Sequence, residues 1–357
     1  MKRAFICNIV PNNLVNQLNS PQAPNNFCFN LIENNCFDSV YSIVPNSYSD
    51  VRIESDKAIT YVLGRKRKTK IGVLLYNIIC NVRCILLASK SDNIWFYNIV
   101  NANVLCFVIL RYVFKKKVYV ILLDHTPSDN KLSLQYFIPY FISNSYGVIS
   151  LSSRSDINHT NMEYIAGIIP VEKIQKDAKD ANDKLRFLFS GILGKHTGFD
   201  LAIEVFKQLP NCELYVTGFG ELSSLVKENY ENIHYLGYLS YDEYIQLYDK
   251  VDVCLSFRNP EFLENKNNFP SKILEYFSYN KIVISTINYP ELKDFNFFSC
   301  KYDLESVKNT INRACNMEKK QLKIFSCNSK ALENNFSEIK WIDAFTKIEM
   351  KSDGKNP

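Results

Sequence analysis

Two short loops contain the glycines best placed to bind a phosphate-bearing ligand. Residues 191–198 (GILGKHTG) and residues 217–221 (TGFGE) each follow a strand-like run and precede a helical one. Glycine lets the backbone approach a ligand closely, and the first N–H groups of a helix are free to bind an anion. Such turns also serve plain packing, but two in succession favour a phosphate site. The candidate residues in these loops are Gly191, Lys195, Gly218 and Gly220.

A third segment, residues 268–276 (NFPSKILEY), has the polar start of a helix. Pro270 suits the first helical turn, because its missing N–H costs nothing there. Ser271 and Lys272 then form an anion site suited to a diphosphate. Glu275 lies on the same face, where its carboxylate can reach a group beside the phosphates, such as the two hydroxyls of a ribose. The alternative is an exposed glutamate paired with Lys272, which leaves the glycine loops unexplained.

Other residues are open to two interpretations. Arg258 ends a predicted strand, where it faces a phosphate or forms an ion pair with Glu261, and His196 contacts phosphate or is a solvated loop residue. Eleven scattered cysteines without a CxxC pair indicate free thiols in a reducing cytosol. No aspartate pair has metal-ligand spacing, so we expect neither a metal nor another cofactor.

A basic cluster precedes an amphipathic stretch, Ile71–Leu87, in the first half of the chain. Two asparagines and Arg83 interrupt this stretch, so we expect no membrane span. The start of the chain also lacks the apolar core of a signal peptide. We therefore predict a cytoplasmic protein that binds peripherally to the anionic inner face of the plasma membrane. The predicted membrane-surface residues are Arg65, Lys66, Arg67, Lys68 and Lys70.

Strand-like apolar runs alternate with helical stretches along the whole chain, which predicts parallel sheets covered by helices. A chain of 357 residues exceeds what one core usually supports, so we expect two domains. Residues 169–184 are charged and without strand character, and we interpret them as a linker. The predicted domains are residues 1–168 and 185–335, with a C-terminal helix in residues 336–357 that packs back on the first domain.

Four blocks between Leu185 and Thr286 resemble the donor-binding half of retaining, family-four-type glycosyltransferases in both order and spacing. They are FLFSGILGKHTGFDLAIEVF, ELYVTGFGE, IHYLGYLSYDEYIQLYDKVDVCLS and NFPSKILEYFSYNKIVIST. The first half matches more loosely, through SPQAPNNFCFNLIE, VYVILLDHTP and VISLSSRS. The resemblance implies the GT-B architecture, in which two Rossmann-like α/β domains face each other across a cleft. The first domain would face the acceptor and the second would bind a nucleotide-sugar donor.

The resemblance also implies roles for individual residues. Glu275 maps to the glutamate that holds the donor ribose, and Ser271 and Lys272 map to the helix start that binds the diphosphate. His125 maps to a histidine near the donor sugar and is the first catalytic candidate. The backbone that holds the nucleobase maps to Gly237, Tyr238 and Leu239.

The chain departs from the family's pattern of charges in the first glycine loop. Many members have Arg and Lys on the diphosphate where this chain has Ile192 and Thr197. The positive charge must then come from another side chain. The candidates are Lys195, Lys272 and Arg258.

A second departure concerns the family's pair of glutamates, which stand eight residues apart. Asn267 occupies the position eight residues before Glu275. Glu264 and Glu261 lie nearby as alternative carboxylates, and their spacing does not choose between them. We therefore keep Glu264 and Asn267 as further catalytic candidates.

We expect a glycosyltransferase that moves a sugar from a nucleotide diphosphate sugar to a glycan or lipid-linked saccharide. The resemblance implies retention at the anomeric carbon and a place in the assembly of surface polysaccharide such as O-antigen or capsule. One alternative is a nucleotide-sugar epimerase, which would need acid and base groups but no acceptor groove. Another is a non-enzymatic protein that binds phosphate or nucleic acid. The modest net charge of +5 and the absence of aromatic residues from the basic cluster argue against nucleic acid.

Overall fold

The chain divides into two compact units, and the C-terminal segment belongs to the first. In the computed structural model, one unit comprises the chain up to Pro170 together with the segment from Ser337, and the other comprises Val171–Phe336. The structure describes residues 2–15, 17–18, 20–50, 53, 58–123, 128, 130–131, 133–153, 157–176, 181–182, 184–226 and 230–353.

The first unit is built on a parallel sheet of seven strands in the order β3-β2-β1-β4-β5-β6-β7. Its inner strands are almost wholly buried, as expected of a sheet that helices cover on both faces. The strands are β1 (Arg3–Cys7), β2 (Ser39–Ile43), β3 (Thr60–Val62), β4 (Asn93–Tyr97), β5 (Lys117–Leu122), β6 (Gly147–Ser150) and β7 (Met162–Tyr164).

Helices α2, α3 and α4 pack on one face of this sheet and share one apolar cluster with β1, β4, β5 and β6. The strand residues that point to the other face, such as Trp95, contact the C-terminal helix α12. The helices are α1 (Gln22–Glu33), α2 (Lys70–Ala88), α3 (Val104–Val108, continued by a π turn over Ile109–Val113), α4 (Leu134–Ser143) and α12 (Glu338–Asp353).

The second unit holds a parallel sheet of six strands in the order β10-β9-β8-β11-β12-β13. The strands are β8 (Arg186–Ile192), β9 (Glu213–Phe219), β10 (Ile233–Tyr235), β11 (Val253–Ser256), β12 (Ile282–Ser285) and β13 (Phe298–Ser299). The helices are α5 (Phe199–Lys207), α6 (Tyr241–Leu247), α7 (Leu263–Asn267), α8 (Lys272–Ser278), α9 (Leu304–Cys315), α10 (Lys319–Ser326) and α11 (Ser329–Phe336). Two units with parallel sheets confirm the predicted α/β fold class.

Two expectations differ from the structure. The helical run expected after the glycine loop at residues 217–221 is a single 3-10 turn, Ser223–Val226, as far as the structure describes this segment. We expected no segment with the length and composition of a membrane span, but α2 is long and apolar enough to cross a membrane by these two criteria, despite its two asparagines and Arg83. About a third of that helix is buried within the protein.

Candidate functional site

The candidate site lies at the point where the strand order of the second sheet reverses. Strands β9 and β10 lie on one side of β8, and the later strands β11, β12 and β13 lie on its other side. Ligands of open parallel sheets bind at such a switch point, beyond the carboxyl ends of the strands. Gly191 and Gly218 lie in the last residues of β8 and β9, and Lys195 and Gly220 follow these strands at the same edge.

The ends of β8 and β9 approach so closely that only glycine fits. Gly191 and Gly218 are register partners and both have a φ of +124°. A β-carbon on Gly218 would lie 1.8 Å from the carbonyl oxygen of Gly191, and one on Gly220 would lie 2.3 Å from that of Leu193. Gly218 and Gly220 therefore serve packing, whereas the backbone at Gly191 is open, because the nearest atom to a β-carbon built there is Nζ of Lys272 at 4.0 Å.

Lys272 supplies a cation at the end of β8. A β-carbon built on Gly191 would lie 4.0 Å from Nζ of Lys272. The ammonium group sits 4.7 Å from the centre of the Tyr244 ring, within cation–π distance. Burial lowers the pKa of Lys272 and nearby Arg258 lowers it further, whereas the carboxylate of Glu275 raises it. A bound diphosphate would stabilise the ammonium in the same way as Glu275 does.

Glu275 is held by a chain of buried hydroxyls. The Tyr248 hydroxyl donates to Oε1 of Glu275 at 2.6 Å and is also hydrogen-bonded to the Tyr244 hydroxyl. Tyr244 in turn contacts Oγ of Ser190 at 3.2 Å, and Ser190 contacts the Tyr276 hydroxyl at 2.9 Å. Burial raises the pKa of all three tyrosines, so their hydroxyls keep their protons.

Sequence reasoning missed this hydroxyl chain. Tyr244 lies on α6 and Tyr248 is the C-cap residue that follows it, so these two residues, four apart, lie on one face. That spacing was visible in the sequence, but nothing in it indicated that the face turns toward α8. The capping box between Ser240 and Glu243 begins α6 and sets its first turn.

The loop that follows β10 contains Gly237, Tyr238 and Leu239 and contacts Gly218. Gly237 has a φ of +70°, and its carbonyl accepts hydrogen bonds from the Thr217 hydroxyl at 2.8 Å and from the Gly218 amide at 2.9 Å. Tyr238 is exposed, and its ring centre lies 6.0 Å from that of Phe219. Leu239 is partly buried. The loop thus presents open backbone and an aromatic face.

The two positions where charge was expected have other roles. Thr197 is buried, and its hydroxyl donates to the carbonyl of Ile192 at 2.7 Å and accepts from the amide of Gly194 at 3.2 Å. Thr197 therefore holds the loop in shape. The side chain of Ile192 is exposed and apolar. Lys195 is exposed too, and its amide points at the Glu221 carboxylate from 3.5 Å.

The segment before α8 differs from the expectation at Pro270 and contains a further residue, Asn265, that contacts the first glycine loop. Pro270 precedes the N-cap Ser271 rather than standing in the first turn of the helix, and Ser271 makes no side-chain cap. The side chain of Asn265, which the sequence did not single out, donates to the carbonyl of His196 at 2.6 Å. It thereby links this segment to the first glycine loop.

Of the catalytic candidates, only Glu264 can be placed by its side chain, and it is exposed on α7. Asn267 ends the same helix, but its side chain lies outside the described residues, and so does His125 as a whole.

Arg258 lies just after β11, where its amide and carbonyl both form hydrogen bonds with the Thr286 hydroxyl. Among the described residues, no group of three or more His, Cys, Asp or Glu is arranged to hold a metal.

Comparisons with known proteins agree with this geometry. Residues 170–324 match the family model described as glycosyl transferases group 1. No curated protein matches the chain significantly. Similarity to solved structures extends over nearly the whole chain at low identity.

Three solved structures illustrate this similarity. Anabaena Alr3699/HepE in complex with UDP has a TM-score of 0.66 at 15% identity, covering 98% of this chain and 100% of the other. The N-terminal domain of Candida albicans trehalose-6-phosphate phosphatase has a TM-score of 0.69 at 13% identity over 98% and 97%. The lipopolysaccharide outer core galactosyltransferase WaaB has a TM-score of 0.62 at 14% identity, covering 98% of this chain and 99% of the other. Residues 170–324, somewhat under half of the chain, therefore match the group 1 glycosyltransferase model, the whole chain has the GT-B fold, and together these findings support a transferase enzyme.

Proposed function

We propose that the protein transfers a sugar from a UDP-sugar to a saccharide or lipid-linked saccharide acceptor, with retention, in the assembly of a surface polysaccharide. The observation that carries the donor part is the grouping of Gly191, Lys272 and Glu275 at the switch point of the second sheet. Uridine as the base is supported by HepE, which was solved with UDP and with UDP-glucose. The polysaccharide role is supported by the resemblance of the sequence and by the similarity to WaaB, a lipopolysaccharide outer core galactosyltransferase.

Each residue of this group has a distinct task in the proposal. Lys272 and the open backbone at Gly191 bind the diphosphate, and Glu275 accepts hydrogen bonds from the ribose hydroxyls. The loop at Gly237–Leu239 holds the base. In the transfer step the bond between the sugar and the diphosphate breaks, a bond from the sugar to the acceptor oxygen forms, and the proton of the acceptor hydroxyl passes to a phosphate oxygen of the departing UDP. Lys272 stabilises the charge that develops on the departing UDP.

A donor screen followed by a turnover assay tests the proposal. UDP should raise the melting temperature more than ADP or GDP does, because it binds only the folded state. Radiolabelled UDP-glucose, UDP-galactose and UDP-N-acetylglucosamine are then incubated with and without a bacterial lipid extract. We expect label in a new glycan or lipid product together with free UDP. Interconversion of the sugars without release of UDP would instead identify an epimerase.

The stereochemical part has its own readout. The anomeric configuration of the product, measured by NMR coupling constants, should match that of the donor. An inverted product would contradict retention and leave the donor site unaffected.

A further inference from the structure

The outer face of α2 carries an uninterrupted apolar stripe that the protein itself does not cover. Ile71, Leu75, Ile78, Val82 and Leu86 follow one another at helical spacing and are between 38% and 74% exposed. No charged residue occurs between Ile71 and Val82. Water contact with so much contiguous apolar surface is unfavourable, and such patches mark interaction sites.

Both ends of this stripe are basic. The N-terminal end follows Arg65, Lys66, Arg67, Lys68 and Lys70, all of which are exposed. The C-terminal end is followed by exposed Lys90, and exposed Lys115 is nearby, because Nζ of the adjacent Lys116 donates to the carbonyl of Ser91 at 3.0 Å. With 19 residues, α2 separates the two basic ends by roughly 28 Å.

Neighbouring helices extend the apolar face with aromatic residues. Asn81 joins α2 to the start of α3 through hydrogen bonds to Ala102 and Cys106, and the Phe107 and Phe141 rings join α3 to α4. All three helices lie on the same face of the sheet. Their exposed aromatic side chains are Tyr112, Phe114, Tyr136, Phe137 and Tyr140. Aromatic side chains of this kind are enriched at membrane–water interfaces.

We propose that this face docks on an anionic lipid bilayer, with α2 lying parallel to the membrane plane. The apolar stripe then enters the boundary of the acyl chains while both basic ends remain at the headgroups. This inference goes beyond the proposed reaction and does not depend on it.

Two other occupants fit the face less well. As a membrane span, α2 would have to leave the sheet and expose the strands that Tyr76, Cys80 and Cys84 now cover. In a second copy aligned on the first, the basic ends would meet basic ends in either direction, and like charges repel. An anionic bilayer neutralises both ends at once.

Flotation with lipid vesicles tests the proposal. The full chain is mixed with vesicles of phosphatidylcholine alone or of equal parts phosphatidylcholine and phosphatidylglycerol. The test variant is Ile71→Gln, Leu74→Gln and Leu86→Gln, which removes three side chains that are 74%, 59% and 61% exposed. The control carries Ile324→Gln, Ile339→Gln and Met350→Gln, where the exposures are 57%, 60% and 69%. Neither variant changes the charge, and glutamine favours helix.

We expect wild type and control to float with the anionic vesicles, and the α2 variant to lose at least about tenfold in partitioning. Replacing the five N-terminal basic residues by Gln should weaken binding to anionic vesicles as well. About 1 M salt, where the Debye length is ~3 Å, should weaken wild-type binding without abolishing it, because the apolar part is not screened. UDP binding reports separately on the donor site and should be equal in all variants. Equal flotation of wild type and the α2 variant, or no flotation of wild type, would overturn the proposal, as would a dimer that only the α2 variant dissociates.

Discussion

Tyr248 fixes the direction of the carboxylate of Glu275, the residue that we propose binds the donor ribose. Its hydroxyl is buried, keeps its proton and donates to one carboxylate oxygen. The pattern Pro-Ser-Lys followed by Glu made Lys272 and Glu275 predictable from the sequence. Tyr248 was not predictable, because it caps the end of α6, 27 residues earlier in the chain, and the packing of this segment on α8 is a tertiary property.

Replacing Tyr248 by Phe should weaken UDP binding about tenfold, because a hydrogen bond to a charged group contributes about 1.5 kcal/mol. Uridine should lose the same factor, since Glu275 acts on the ribose in this account. Titration calorimetry measures both affinities. Tyr215→Phe is the matched control, because the Tyr215 hydroxyl contacts the Glu213 carboxylate elsewhere in the same unit. Loss of affinity for UDP but not for uridine would contradict the claim that Tyr248 acts on the ribose through Glu275.

Lys272→Met should weaken the binding of UDP strongly and that of uridine little, since the ammonium acts on the diphosphate. Burial lowers the pKa of Lys272 below its ordinary 10.5. The ammonium group therefore loses its proton at a lower pH than an exposed lysine does, and UDP affinity should fall as the pH rises through that pKa. This alkaline loss should be missing from Lys272→Met and present in Lys207→Met, where another lysine lies over a tyrosine ring. The same pH profile in both variants would contradict the assignment.

The glycines of the candidate donor loops differ in whether the packing of the strands requires them. Gly218 is required by the approach of β9 to β8, whereas Gly237 has a positive φ but no atom within 4 Å of its built β-carbon. Sequence analysis predicted the loop at Gly218 from its glycines and the loop at Gly237 from the family resemblance. It misplaced the start of α8 by assuming that Pro270 stands in the first turn, because a proline before the N-cap has the same sequence signature. It also interpreted α2 correctly as amphipathic but could not show which face stays exposed.

Gly218→Ala should lower the free energy of unfolding by about 3 kcal/mol or more, since both backbone strain and a clash with Gly191 must be relieved. Gly237→Ala meets only the strain of a left-handed conformation and should cost about 1 kcal/mol. Urea denaturation followed by circular dichroism compares the two. A similar cost for both would mean that β8 and β9 can separate without penalty.

At the scale of the whole molecule, the last helix completes the first unit. Trp341 is fully buried and donates to the carbonyl of Gly167, and Glu349 accepts from Trp95 and pairs with Arg3. Alternation of strands and helices was enough to predict the α/β class. The contacts of α12 join residues up to 346 positions apart, and no local pattern specifies such pairings.

Glu349→Ala should destabilise the first unit by about 3 kcal/mol, because Arg3 and Trp95 lose a buried partner. Glu163→Ala removes a more exposed ion pair with Lys347 in the same unit and should cost under about 1 kcal/mol. Thermal unfolding measures both. UDP affinity should stay at the wild-type value, since every candidate donor residue lies in the second unit. A large loss of UDP affinity in folded Glu349→Ala would contradict that division.

The most direct test of the donor site is a crystal structure of the protein with UDP. The account predicts the diphosphate against Gly191 and Nζ of Lys272, with the ribose hydroxyls within hydrogen-bond distance of the Glu275 carboxylate. The base should lie along the loop at Gly237–Leu239. UDP bound away from the carboxyl ends of β8 and β9, or with its ribose out of reach of Glu275, would contradict the central claim.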